Sequence, residues 1–191
     1  MHISEPQTEQ HLLHRLQKGD AAAFRVLYQQ TVRYLTAVCS RYIPNDEDVR
    51  DVLQDTYLHA YSALPSFSYR GEGSLRAWLA RIVVNESLLF LRRTEPLPTE
   101  EITDECADIP DDEVDTETIP SSVIYEAIRA LPTGYRTVFN LFVVEGKSHQ
   151  EIATMLHIKE SSSASQLHHA KALLAARLRL WQQANATTQN L

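Results

Sequence analysis

Between residues 20 and 93, and again between 131 and 178, apolar residues recur three or four positions apart. That spacing lines one face of an α-helix. In the first stretch Phe24, Leu27, Tyr28, Leu35 and Val38 share a face, and Asp20 stands where a side-chain oxygen caps a helix by accepting free backbone N–H groups. Pro44-Asn45 breaks the chain, and Asn45 or Asp46 opens a second helix. Its apolar positions are Val49, Val52, Leu53, Thr56, Tyr57, Ala60, Tyr61 and Leu64. Ser74 is placed to cap a third helix, with Leu75, Trp78, Leu79, Ile82 and Leu89 expected to face the core.

The second stretch predicts helix, short helix, turn, helix. Ser148 and Glu151 have the spacing of a capping box, in which each side chain satisfies the other's free backbone N–H. The short helix carries Ile152, Ala153, Met155 and Leu156, and His157 to Glu160 is the expected turn. Ser161, Ser162 or Ser163 is expected to cap the last helix, where Leu167, Ala170, Leu174 and Leu178 form an apolar stripe. Two helices this short bury little by themselves, so Val138, Leu141 and Phe142 are expected to close their core. The pattern fits a helix-turn-helix DNA reader and equally a small helical bundle with no DNA role.

A formal charge of −7 argues against nucleic acid until its distribution is read. Eleven of the 25 acidic residues lie in TEPLPTEEITDECADIPDDEVDTETIP, residues 94–120, which hold no lysine or arginine. The other 14 face 18 lysines and arginines, so the rest of the chain is net basic. The acidic stretch also contains Pro96, Pro98, Pro110 and Pro120 and has no helical period, so it reads as an extended, self-repelling linker. No apolar run approaches the ~20 residues of a membrane helix, and MHISEPQTEQHLLHRLQKGD lacks the pattern of a secretory signal. Cys39 and Cys106 form neither a disulfide framework nor a paired-cysteine metal site, which fits a reducing cytoplasm. His168 and His169 are neighbours on a helix and point apart, so no metal is expected, and no nucleophile–base pair stands out.

Binding residues are more legible. Asp51, Gln54 and Asp55 stand at i, i+3 and i+4 and form one polar patch, with Leu58 one turn further. Such a patch suits a basic partner helix. The loop PSFSYRGEG places Phe67 and Tyr69 beside Arg70. Aromatic rings next to a cation suit unstacked bases, which stack on the rings while the charge holds the backbone. Arg76, Arg81, Arg92 and Arg93 are expected to make the outer side of the third helix basic, with Asn85 able to read a base edge. In the last helix Ser162, Ser163, Ala164, Ser165, Gln166, His168, His169 and Lys171 are the candidate DNA contacts, a set poor in cations.

Together these segments resemble a known family. The D-x-x-Q-D of Asp51, Gln54 and Asp55, the G-x-G-S-x-R-A-W-L-x-R-I from Gly71 to Ile82, Asn85 and the Arg92-Arg93 pair resemble region 2 of a sigma-70 factor of the extracytoplasmic-function (ECF) group. LPTGYRTVFNLFVVEGKSHQEIATML and SQLHHAKALL resemble region 4 of that group. The resemblance implies an all-α fold of two small helical domains: residues 1–94 as region 2, 95–120 as an acidic linker, 121–180 as region 4 and 181–191 as a tail. It implies an alternative sigma factor that binds core RNA polymerase and promoter DNA, with an anti-sigma factor as a further partner. Asp51, Gln54, Asp55 and Leu58 would dock on the polymerase. Phe67, Tyr69, Arg70, Arg76, Arg81, Asn85, Arg92 and Arg93 would meet the minus-ten element, and residues 162–171 the minus-thirty-five element. It implies no cofactor and no catalytic residue, since the polymerase does the chemistry.

The chain departs from the family at His157, where a glycine is common, and at Ala164, Gln166 and His169, where lysine or arginine is usual. Only Lys171 and Arg177 remain as cations nearby. Each lost phosphate contact removes a counterion-release contribution, so affinity and salt sensitivity are both expected to fall. A sigma-like interaction protein without efficient promoter recognition is the alternative. Nothing in residues 1–18 or in WQQANATTQNL points to a role.

Overall fold

The computed structural model describes residues 8–94, 116 and 118–188, and every regular element among them is a helix. The chain divides into two units, Met1–Arg93 and Thr94–Leu191. Most of the acidic stretch falls outside the described residues.

The first unit contains α1 (Glu9–Gln17), α2 (Ala21–Cys39), α3 (Asp46–Ala63) and α4 (Ser74–Thr94), with a single tight turn at Leu64–Ser66 after α3. Asp20 caps α2 by accepting from Ala22 N at 2.8 Å and Ala23 N at 3.2 Å. The Arg15 guanidinium also bonds it at 2.8 Å and, with those N–H groups, holds its carboxyl below the usual range. Asn45 caps α3 in the same way through Glu47 N and Asp48 N. Leu27, Leu35, Val52, Leu79 and Val83 fill the core between the helices. Thr31 Oγ1 and Tyr57 OH, 2.9 Å apart, pair their hydroxyls inside it. Burial pushes the Cys39 thiol up to about 11, which leaves it a small inert core group.

Two expectations fail here. Tyr61 is 54% exposed, not core. Ser74 is the first residue of α4, not its cap: the amides at that end are taken by the Glu9 carboxylate of α1.

The second unit contains α5 (Ser121–Arg129), α6 (Thr133–Phe139), a π-type turn (Asn140–Val144), α7 (His149–Leu156) and α8 (Glu160–Thr188). Leu131, Tyr135, Ala170 and Leu174 form a core against which Ala127, Ile128 and Phe139 pack. Arg136 is buried and donates to the carbonyls of Arg129 and Leu131, closing the end of α5. The capping box is present: Ser148 N donates to Glu151 Oε2 at 2.8 Å, and Glu151 N to Ser148 Oγ at 3.2 Å. Those bonds from Ser148 hold the Glu151 carboxyl below its ordinary range.

α7 ends at His157, which adopts the left-handed conformation with φ 57° and ψ 40°. α8 begins at Glu160, so Ser161, Ser162 and Ser163 lie inside its first turns and do not cap it. It continues to Thr188, so the helix runs on into the segment expected as a tail.

Candidate nucleic-acid interface

The loop after α3 turns sharply because Gly71 and Gly73 take φ of 111° and 84°, which side-chain-bearing residues avoid. The turn folds Phe67 back onto Trp78 of α4, with ring centroids 4.9 Å apart and planes inclined by 45°. Beside this pair lies a groove of about 580 Å³, lined also by Arg70, Arg81 and Asn85. Those three side chains are exposed. Arg92 and Arg93 are exposed near the far end of α4. An open aromatic surface flanked by guanidinium groups and an amide can stack a base, hold its phosphate and read its edge. Tyr69 is half-buried at the loop, donating to Glu72 Oε2 at 3.4 Å, and desolvation and the Glu72 and Glu9 carboxylates push its phenol up.

Arg76 is not part of this groove. Its guanidinium sits 3.8 Å above the centroid of the Tyr34 ring and lines a separate cleft with Glu9, Glu72 and Leu27. Trp78 had been expected in the core. It is half-buried and lines the groove instead. Its spacing from Arg81 (i, i+3) and Asn85 (i, i+7) already places it on their side of α4, a signal that outranks its hydrophobicity.

On α3, Asp51, Gln54 and Asp55 are all exposed, with Leu58 62% exposed beside them. Gln54 and Leu58 also border a groove of about 560 Å³ between α2 and α3, lined by Phe24, Tyr28, Tyr57 and Tyr61. Phe24 packs edge-on against Tyr61 at 5.4 Å, and Tyr28 leans on Tyr57 at 4.9 Å. The patch therefore adjoins, through Gln54 and Leu58, an aromatic groove whose charged lining residue is Arg50, a setting more apolar than the sequence spacing implied.

In α8 the structure separates the candidate contacts. Ala164, His168 and Lys171 are exposed and Ser165 is half-buried. Ser162, Ser163, Gln166 and His169, expected among the DNA contacts, are buried. Ser163 Oγ pairs with His149 Nδ1 at 3.0 Å, and His149 in turn stacks on Phe142. His169 stacks on Tyr135. Ser162 Oγ, both amide atoms of Gln166 and His169 Nδ1 are buried without a hydrogen-bond partner. These positions face inward because α6 and α7 flank α8 on a broader arc than the leucine stripe marks.

Residues 27–96 match the family model "Sigma-70 region 2", and residues 121–174 match "Sigma-70, region 4". The ECF RNA polymerase sigma-E factor of Escherichia coli (strain K12) is 30% identical over 182 residues, covering 88% of this chain and 93% of that protein. The chain belongs to the ECF group of the sigma-70 family. The sigma-E factor of Haemophilus influenzae is 28% identical over 184 residues, covering 90% of this chain and 96% of that protein. Among solved structures, CnrH in complex with the cytosolic domain of CnrY is 25% identical, with a TM-score of 0.47 over 88% of this chain and 96% of that one.

In this sigma factor the region 2 match takes in most of α2 and all of α3 and α4, hence both the Asp51–Gln54–Asp55 patch and the Phe67–Trp78 groove. The region 4 match runs from α5 into the first half of α8. α1 precedes the region 2 match altogether.

Proposed function

We propose that this sigma factor binds core RNA polymerase through the α3 face of Asp51, Gln54, Asp55 and Leu58 and directs initiation from a restricted promoter set. Residues 1–94 act as the region 2 domain, 95–120 as a linker and 121–180 as the region 4 domain. Phe67, Arg70, Trp78, Arg81 and Asn85 capture an unstacked base of the minus-ten strand, with Arg92 and Arg93 on the adjoining phosphates. Unstacking costs a few kcal/mol, and an aromatic platform returns ~1–3 kcal/mol per base. Ala164, Ser165, His168 and Lys171 of α8 meet the minus-thirty-five element in the major groove. The chain supplies recognition, and the polymerase supplies the chemistry, in the cytoplasm.

The observation that carries this reading is the aromatic groove flanked by Arg70, Arg81 and Asn85 within a region 2 match. The uncovered Tyr28, Leu58 and Tyr61 support a second partner, an anti-sigma factor that shields the same face. Run-off transcription with purified core enzyme is expected to yield discrete start sites. Failure to co-purify with core polymerase would overturn the proposal. The exposed face of α8 between 160 and 171 offers Lys171 alone as a cation, which favours one rival, a polymerase-binding protein without promoter recognition. Reporter activity after overexpression separates the two.

A further inference from the structure

We infer that α1 is a brace that holds the base-reading loop in its binding shape, with Glu9 and Gln17 as its positioning residues. The inference rests on the proposed capture of a base beside Phe67 and Trp78.

Within the loop between α3 and α4, Phe67 N donates to the carbonyl of Leu64 at 3.1 Å and Tyr69 OH to Glu72 Oε2 at 3.4 Å. Ser74 N donates to the carbonyl of Gly71 at 3.1 Å, and Arg70 N to Ser74 Oγ at 3.3 Å. Both its ends are tied to α1. Glu9 Oε2 accepts from Gly73 N at 2.7 Å, while Oε1 accepts from Leu75 N at 2.7 Å and from Ser74 Oγ at 3.2 Å. The free N–H groups of a helix start are usually met by a neighbouring side chain. Here the cap comes from a residue more than sixty positions away. The carboxylate also faces the positive end of the α4 dipole. At the other end of α1, Gln17 Nε2 donates to the carbonyls of Leu64 at 3.3 Å and Phe67 at 3.0 Å.

Glu9 and Gln17 are the first and last residues of one helix, about 12 Å apart along its axis. That helix is anchored by Leu12, Leu13 and Leu16, all buried. One rigid element therefore sets the separation between the Phe67 carbonyl and the start of α4. The separation controls how Phe67 lies on Trp78 and how wide the groove stands. A loop ordered before it meets DNA loses less freedom on binding, which raises affinity without any contact between α1 and DNA.

The test uses full-length protein in holoenzyme. The probe is a fork-junction fragment with an unpaired minus-ten strand, taken from a promoter that the wild-type holoenzyme selects from genomic DNA. Glu9→Gln combined with Gln17→Ala is expected to weaken fork-junction binding about ten-fold, with core-polymerase affinity unchanged. Amide exchange is expected to accelerate at Gly73 and Leu75 and not in the α2–α3 core. Fork-junction binding equal to wild type overturns the brace, and so does acceleration spread evenly over the unit, which marks a general stability role. Phe67→Ala and Arg81→Ala serve as controls. If they lose binding while the α1 variants keep it, only the brace fails. If none of the variants changes binding, the groove is not the base site and the brace falls with it.

Discussion

Phe67 lies against Trp78, ring centroids 4.9 Å apart, so the loop after α3 and the second turn of α4 build one aromatic surface. Trp78→Ala is expected to weaken fork-junction binding by roughly 1–3 kcal/mol, the worth of one stacked base. Trp78→Phe keeps a π-face and recovers part of that loss. Holoenzyme titration of both variants checks this, with thermal melting alongside because Trp78 is half-buried. Unchanged binding by Trp78→Ala would remove the groove from base recognition.

The α3 patch gives a cleaner separation of folding from function. Leu58 is so exposed that Leu58→Ala should alter stability by less than about 0.5 kcal/mol. Its affinity for core polymerase is expected to fall by more than roughly 1 kcal/mol, as for a residue near the centre of an interface. Asp51→Ala with Gln54→Ala should likewise weaken polymerase binding more than binding to free DNA. Equal polymerase affinity before and after would move the docking surface elsewhere.

α8 offers a paired test of which side reads DNA. Ala164 is exposed, so Ala164→Lys is expected to raise minus-thirty-five affinity and steepen its salt dependence by about one unit of log–log slope. Gln166 is buried, so Gln166→Lys should cost more than about 2 kcal/mol of stability by burying a charge without a counterion, and should add nothing to DNA affinity. Titrations across a salt series, with urea unfolding of both proteins, decide it. A stable Gln166→Lys protein with steeper salt dependence would invert the assignment of faces.

His157 closes α7 with φ 57°, a conformation that costs a residue bearing a Cβ roughly 1–2 kcal/mol. Glycine pays no such strain but loses more freedom on folding. His157→Gly is therefore expected to stabilise the second unit by about 1 kcal/mol net. A higher urea midpoint with an unchanged slope is the predicted readout, and a lower midpoint would mean that the imidazole makes a contact worth more than the strain.

The two-unit helical architecture could be read from the chain because its signals are local. The caps at Asp20, Asn45 and Ser148 bond to amides two or three residues away. The inner positions of α3, from Val49 to Ala60, repeat at the helical period. The patch of Asp51, Gln54 and Asp55 was legible for the same reason, since helical spacing alone places its members on one side. The Ser74 cap was misread because a serine before an apolar run is a local signal, whereas the carboxylate that takes its place is remote in sequence.

What the sequence determined by itself was thus α2, α3, α4, α6, α7 and α8, the caps at Asp20, Asn45 and Ser148 and the residue types available for binding, while α1 and α5 were not read from it. These follow from the 3.6-residue period and from hydrogen bonds that span only a few positions. Only the tertiary structure decided which side of each helix meets a neighbour. It turned Trp78 outward beside Phe67, placed Arg76 over Tyr34, and buried Ser162, Ser163, Gln166 and His169 in α8. It also brought Glu9 and Gln17 of α1 to the two ends of a loop whose bonded partners lie 66 and 50 positions further along. A helix's own period says how its residues are spaced around the axis. The direction that becomes interior depends on packing between segments far apart in the chain, which no local pattern records.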